Sequence, residues 1–218
     1  MSINIRQLDM FCASWLRKAR SYERPFPKRL IREERRTAGA NHSEEADAIS
    51  RSFDRFTSLF VVFNRIYTEA GKLLIRRGQV QPNPRKPYAP LADRISATSH
   101  ILTFYGEAGL RDEISANDKC RAAVDNFVRL IREGRFYLHE NYVTGVPDVA
   151  EDMRLADEAG AYRPRAILSL IYQARCNSVH GEKDFDEGQR ELLDSMSVTL
   201  EFVVRKTLAR LKEELANP

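Results

Sequence analysis

At 218 residues, 43% of them hydrophobic and 30% charged, the chain is long enough to bury a core without staples, and its 11 Phe, 8 Tyr and 1 Trp exclude a disordered polymer. The longest unbroken apolar stretch, Leu59 to Phe63, is five residues, so no segment spans a bilayer, and the start Met1-Ser-Ile-Asn-Ile-Arg6 has no basic-then-apolar leader. Net charge is +4 but uneven: residues 1–43 hold ten Arg/Lys against four Asp/Glu, and residues 181–218 hold six against nine. A basic end points either to an anionic partner, nucleic acid first, or to a solvated helical face. Cys12, Cys120 and Cys176 lie far apart, without metal-ligand spacing and in odd number, which fits a reducing cytoplasm.

Helical periodicity runs through the chain. Leu8, Phe11, Cys12, Trp15 and Leu16 share one face of a short N-terminal helix that Pro25 and Pro27 end. A basic piece, Lys28 to Arg36, follows. Ser43 is an N-cap candidate, with Glu44 and Glu45 in the first turn, where the helix dipole favours anions. The long helix behind it runs to about Arg77, with Phe53, Phe56, Leu59, Phe60, Phe63, Ile66, Tyr67 and Leu74 at core spacing. Four prolines between Gly78 and Pro90 make a loop.

Helices are predicted next near Leu91 to Tyr105, near Leu110, and over Asp118 to Leu138, then a loop over Asn141 to Asp152. Pro164 suits the first turn of a helix carrying Ile167, Leu168, Leu170, Ile171 and Ala174, and Gly181 is a plausible stop. Asp186 and Gln189 have capping-box spacing before a last helix that reaches about Leu215, with Leu193, Met196, Leu200, Val203 and Leu211 on one side. The expected fold is all-α: a helical bundle over 44–218 with a basic N-terminal helical extension over 1–43.

Most chemical motifs are absent: no Gly-rich phosphate loop, no His-Glu-x-x-His, no Cys-x-x-Cys. His42 falls in a polar loop, His100 reads as a satisfied core or edge residue, and His139 as a dipole-facing or capping residue at a helix end. His180 stands apart because Arg175, Asn177 and His180 gather at the end of an apolar helix, in Arg175-Cys-Asn-Ser-Val-His180-Gly181. Five helical steps of ~100° leave Arg175 and His180 about 140° apart, whereas Asn177 and His180 share a face. Two copies of the helix about a two-fold axis would bring both groups to one groove. A structural alternative has Arg175 in a salt bridge and His180 capping its helix.

Arg-x4-His, with Asn two after the Arg and Gly after the His, resembles the signature of HEPN-domain proteins, as does the approach Leu168 to Ala174. Phe60-Val-Val-Phe-Asn64-Arg-Ile-Tyr67 resembles the Phe-Asn-x-x-Tyr first core helix of one HEPN branch, so the resemblance covers roughly 44–212. It implies an up-and-down helical bundle that homodimerises, and in many members a metal-independent endoribonuclease of toxin–antitoxin, anti-phage or RNA-processing systems. Arg175 would bind phosphate and the transition state, His180 would be the general acid/base, and Asn177 would orient the Arg or the phosphate. Asn64 carries over less directly, since it lies beside the apolar stripe. The family branch whose Tyr two after the His is nucleotidylated has its counterpart here in Glu182, so that route of neutralisation is not supported. No cofactor and no metal is implied. The expected partners are RNA, a second copy, and an antitoxin or defence protein. The alternative is a non-catalytic helical module that binds RNA, a nucleotide or a protein partner through the same cleft.

The stretch Arg76 to Pro90 has no acidic residue, and Arg76, Arg77, Arg85 and Lys86, with Tyr88 to stack on a base, are RNA-binding candidates. A solvated loop is the other reading. Cys176 reads as a small packing residue.

Overall fold

The computed structural model describes residues 4–23, 44–84, 93–141, 144–180 and 187–216, without the side chains of 44–47, 178–180 and 187. Among these residues there are eight helices and no strand beyond isolated bridges, so the chain is all-α as its periodicity predicts. The helices are α1 (Ile5–Ser21), α2 (Glu44–Arg76), α3 (93–105), α4 (Glu107–Ala116), α5 (Asp118–Arg132), α6 (Val149–Gly160), α7 (Pro164–His180) and α8 (Glu187–Ala216). None is long and apolar enough to cross a membrane.

The two longest helices, α2 and α8, pack together and form the spine. Against it, α1 lies on α2 and α5 lies on α8, while α6 bridges α5 and α7. The stripe read on α2 faces inward: Phe56, Leu59, Phe63, Ile66 and Tyr67 are essentially inaccessible. Leu193, Met196, Leu200, Val203 and Leu211 of α8 meet it from the other side. Leu8 and Cys12 of α1 are fully buried in the same core, so the first helix is packed into the bundle. Asn4 caps α1 by accepting a hydrogen bond from the Gln7 amide at 3.0 Å. Burial pushes the Cys12 thiol up to about 11 and Cys120 to about 12, which makes both inert packing groups. Pro25, Pro27, the basic run Lys28–Arg36, His42, the Ser43 cap, Gly181 and the Asp186 capping box lie outside the described residues.

Three expectations about the middle of the chain need correction. The fifth helix ends at Arg132, not near Leu138. Gly134 takes φ 66°, and the Gly134 and Arg135 amides donate to the carbonyls of Ile131 and Leu130, closing the last turn in a Schellman arrangement. The chain then runs on extended and buries Phe136 and Leu138. Secondly, the stretch read as a loop to Asp152 already contains the start of α6, whose N-cap Asp148 accepts from the Glu151 amide at 3.1 Å. Its inner face is only Leu155, Ala156 and Ala159, with the carboxylate of Asp152, so the periodic signal is thin. The helix read near Leu91 to Tyr105 forms as α3, with Ser96–His100 π-helical, and the third correction concerns a histidine within it. His100, in that segment, is buried as expected but not satisfied: its Nδ1 has no partner, and burial lowers its pKa.

An ionic node ties α1, α2 and α8 together. Glu201 accepts from Arg205 at 2.6 Å and from Arg55 at 3.2 Å, and Arg20 stands 3.5 Å away. Burial pushes the Glu201 carboxyl up, but the hydrogen bonds and charges of Arg205 and Arg55 outweigh it and hold the pKa below the ordinary 4.5. A carboxylate with a depressed folded pKa contributes stability that is complete above 4.5 and lost as pH falls through the folded value. Urea midpoints are therefore expected to fall below pH 4.5, and Glu201→Gln is expected to flatten that fall while lowering the midpoint at pH 7.

Candidate functional site

Pro164 opens α7 with its fixed φ, and Ile167, Leu168, Leu170 and Ile171 bury the helix in the bundle. The two segments singled out in the sequence meet there. The Arg175 guanidinium lies over the Phe60 ring, 5.5 Å from its centroid. Tyr172 approaches the same ring at 6.1 Å. Phe60 is backed by Phe63 at 5.7 Å, and Phe63 by Tyr67 at 5.4 Å, both edge-on. The aromatic stripe of α2 is thus a rigid platform under one arginine.

Arg175 is half-buried, and among the described residues no carboxylate pairs with it. That sets it apart from Arg55, Arg77, Arg129, Arg132, Arg154 and Arg205, all of which do pair. The salt bridge expected under the structural alternative is not formed by any described residue.

Asp93, at the start of α3, supplies the negative charge nearby without reaching ion-pair distance. Burial first, then the charge of Asp93 and the neighbouring Tyr172, raise the Tyr67 phenol well above its ordinary value, and Arg175 opposes them. Tyr67 Oη is buried without a well-aligned hydrogen-bond partner. The Tyr172 phenol is raised by burial, by its hydrogen-bonded neighbour Cys176 and by Asp93, with Arg175 again opposing. Cys176 is half-buried against Tyr172, in keeping with a packing role. Both phenols stay neutral donors at any physiological pH.

Asn177 is placed differently from its expected role. Its Nδ2 donates to the Leu138 carbonyl at 2.8 Å, and its Oδ1 accepts from Gln173 at 3.0 Å. With 8% exposure, its amide is committed to tying α7 to the segment after α5, and it does not orient the Arg175 guanidinium. The backbone of α7 is helical through position 180, while the His180 side chain lies outside the described residues.

The basic candidates separate from this centre. Arg77 pairs with Glu214, whose carboxyl that pairing holds below its usual range, so Arg77 ties α2 to α8. Arg76 is exposed, nine residues or roughly 14 Å beyond Tyr67 along α2. Arg85, Lys86 and Tyr88 lie outside the described residues. Asn64 is half-buried and accepts from Thr68 at 3.5 Å, a contact within its own helix. Sequence reasoning missed Asp93, which no motif marks, and did not single out Tyr172, although it lies in the approach to Arg175. Among the described residues no group of three or more His, Cys, Asp and Glu is placed to hold a metal ion. Comparison with protein-family models, curated proteins and solved structures finds no match to this chain.

Proposed function

We propose that the chain is a metal-independent endoribonuclease of the HEPN type, which cuts RNA at a cleft formed by two copies of the α7 end. One observation carries the reading: a half-buried guanidinium mounted on an aromatic platform and left without a carboxylate among the described residues. A permanent cation held in that way is ready for phosphate oxygens, which it grips through two parallel N–H bonds.

The chemistry uses only what the motif supplies. A neutral imidazole takes the proton of the ribose 2′-hydroxyl as the 2′-oxygen attacks phosphorus. The P–O5′ bond breaks, and an imidazolium returns a proton to the 5′-oxygen. Arg175 stabilises the charge on the equatorial oxygens of the phosphorane. Tyr67 and Tyr172, kept neutral, put no competing negative charge beside the guanidinium. His180 is the acid/base of the Arg-x4-His motif, and a two-fold axis doubles it. The setting we propose is a toxin–antitoxin or anti-phage system, with a partner protein as restraint.

Two measurements test this reading. Light scattering at micromolar concentration is expected to give twice the 25.1 kDa chain mass, and a clean monomer would remove the composite cleft. Purified protein is expected to cut single-stranded RNA in EDTA, and His180→Ala is expected to lose that activity. RNA that is bound but left intact would instead support the binding-module reading.

A further inference from the structure

Two further cations stand without a carboxylate among the described residues, and they share a cavity. It measures about 720 Å³ and lies between the end of α1, the early turns of α2 and α8, and the start of α5. A second cavity of about 440 Å³ adjoins it, and Glu23, Arg55, Lys119 and Val198 line both. The walls carry six cationic side chains, Arg20, Arg51, Arg55, Lys119, Arg190 and Arg205. They face three carboxylates, Glu23, Asp194 and Glu201, which leaves a surplus of three positive charges.

The ion pairs within the walls do not use up that surplus. Glu201 is shared by Arg205, Arg55 and Arg20, while Glu23 meets Arg55 at 2.8 Å. Arg55 is 9% exposed and makes both of its ion pairs through Nη2, and its Nε is buried without a partner. Arg55 therefore supplies fixed charge from behind the wall and no contact for a ligand. Arg51 and Lys119 are the groups that can touch one. Arg51 is half-buried and Lys119 is exposed, and neither forms an ion pair with a described residue.

Lys119 is placed against its own helix. It sits in the first turn of α5, just after the Asn117 cap, where the positive end of the dipole repels a cation. The neighbouring Asp118 pairs with Arg121 at 2.7 Å. An anion in the cavity would offset that repulsion. The cations also converge on one space from four helices, which suits a compact polyanion better than a strand tracked along a surface. Ala48, Ala122, Ala123 and Val198 complete the lining with small side chains. They leave more room than a single phosphate fills, within the roughly 300–1,000 Å³ of small-molecule sites.

We propose that this cavity binds a small ligand with linked phosphates, of the size and charge of a nucleoside triphosphate. Its phosphates lie between Arg51 and Lys119, in the field of the Arg55 cluster. The site is separate from Arg175, which lines neither cavity, and it does not rest on the nuclease reading.

The test is calorimetric titration of the full chain in EDTA at about 0.15 M salt, where long-range attraction between exposed charges is screened. The probes are ATP, inorganic tripolyphosphate and adenosine. ATP and tripolyphosphate are each expected to bind once per chain and to raise the thermal midpoint, with adenosine far weaker. Whichever of the two binds tighter identifies the source of the phosphates, and either order upholds the site. Arg51→Ala and Lys119→Ala are each expected to weaken binding roughly tenfold or more, the loss of a charge-assisted hydrogen bond. Without ligand, their thermal midpoints are expected to match the parent's. Arg175→Ala and Arg111→Ala, which change cations outside the cavity, are expected to keep the parent's affinity. A parent protein that binds neither phosphate probe, affinity that survives the double substitution of Arg51 and Lys119, or adenosine that binds as tightly as ATP would overturn the site. So would single-stranded RNA that needs Arg51 and Lys119 while ATP and tripolyphosphate fail to bind, since the cavity would then belong to a nucleic-acid strand. None of these readouts measures RNA cleavage, so the site and the nuclease reading stand or fall separately.

Discussion

Replacing Arg175 by alanine is expected to lower RNA cleavage by at least about 10²–10³-fold, the loss that follows removal of one group aimed at developing oxyanion charge. The expectation is sharp because the side chain has so little structural work. It forms no ion pair with a described residue, so its removal strands no buried carboxylate. What the fold loses is a cation–π contact of about 0.5–1 kcal/mol with Phe60. Helical circular dichroism and the thermal midpoint are expected to stay close to the parent's. Arg175→Lys keeps the charge and loses the planar fork, so its activity is expected to lie between the two. If Arg175→Ala cuts RNA at the parent's rate, the guanidinium is not at the reacting phosphate.

Phe63→Ala is expected to have the largest effect on stability. The ring is fully buried between α2 and its neighbours, and its removal costs about 3–5 kcal/mol in transfer and cavity terms. For a chain of this size, the thermal midpoint should drop by roughly 6–20 °C. The same ring is wedged edge-on between Phe60 at 5.7 Å and Tyr67 at 5.4 Å. Its loss therefore also loosens the platform below Arg175, and cleavage measured well below the new midpoint is expected to fall. Phe127→Ala removes an equally buried ring of α5, away from the platform, and is expected to destabilise without the extra loss of rate. Equal rates for the two variants at equal fractions folded would break the link between the aromatic stripe and the site.

The parts of this architecture that were legible in the sequence are those carried by long periodic helices. Phe56, Leu59, Phe63 and Tyr67 could be read as one buried face because they recur at helical spacing, and the same holds for Leu193, Met196, Leu200 and Leu211. The meeting of Phe60 with Arg175 was half-legible: both segments stood out, but nothing in their spacing says that residues 115 apart share a contact. The α6 helix was hidden because its core face is two alanines and a leucine, too small to stand out among its acidic residues. The end of α5 turned on Gly134, whose left-handed φ is a tertiary fact as much as a local one. Read as a helix-end residue, His139 instead contacts Asp152, a pairing missed because neither residue alone carries a signal. Only the turn after Gly134 and the unrecognised start of α6 bring them within 2.7 Å. Asn177 was read by its neighbours in the motif, whereas its amide is spent on Leu138.

The chemical identity of the cut ends tests the mechanism most directly. In the proposed mechanism the imidazoles act as base and acid, so the attacking oxygen is the 2′-hydroxyl beside the scissile phosphate. Cleavage in EDTA, followed by mapping of both product ends, is expected to give a 2′,3′-cyclic phosphate and a 5′-hydroxyl. A 2′-deoxy residue at the cut site should leave that bond whole. A 3′-hydroxyl with a 5′-phosphate, or activity that disappears with EDTA and returns with magnesium, would contradict it.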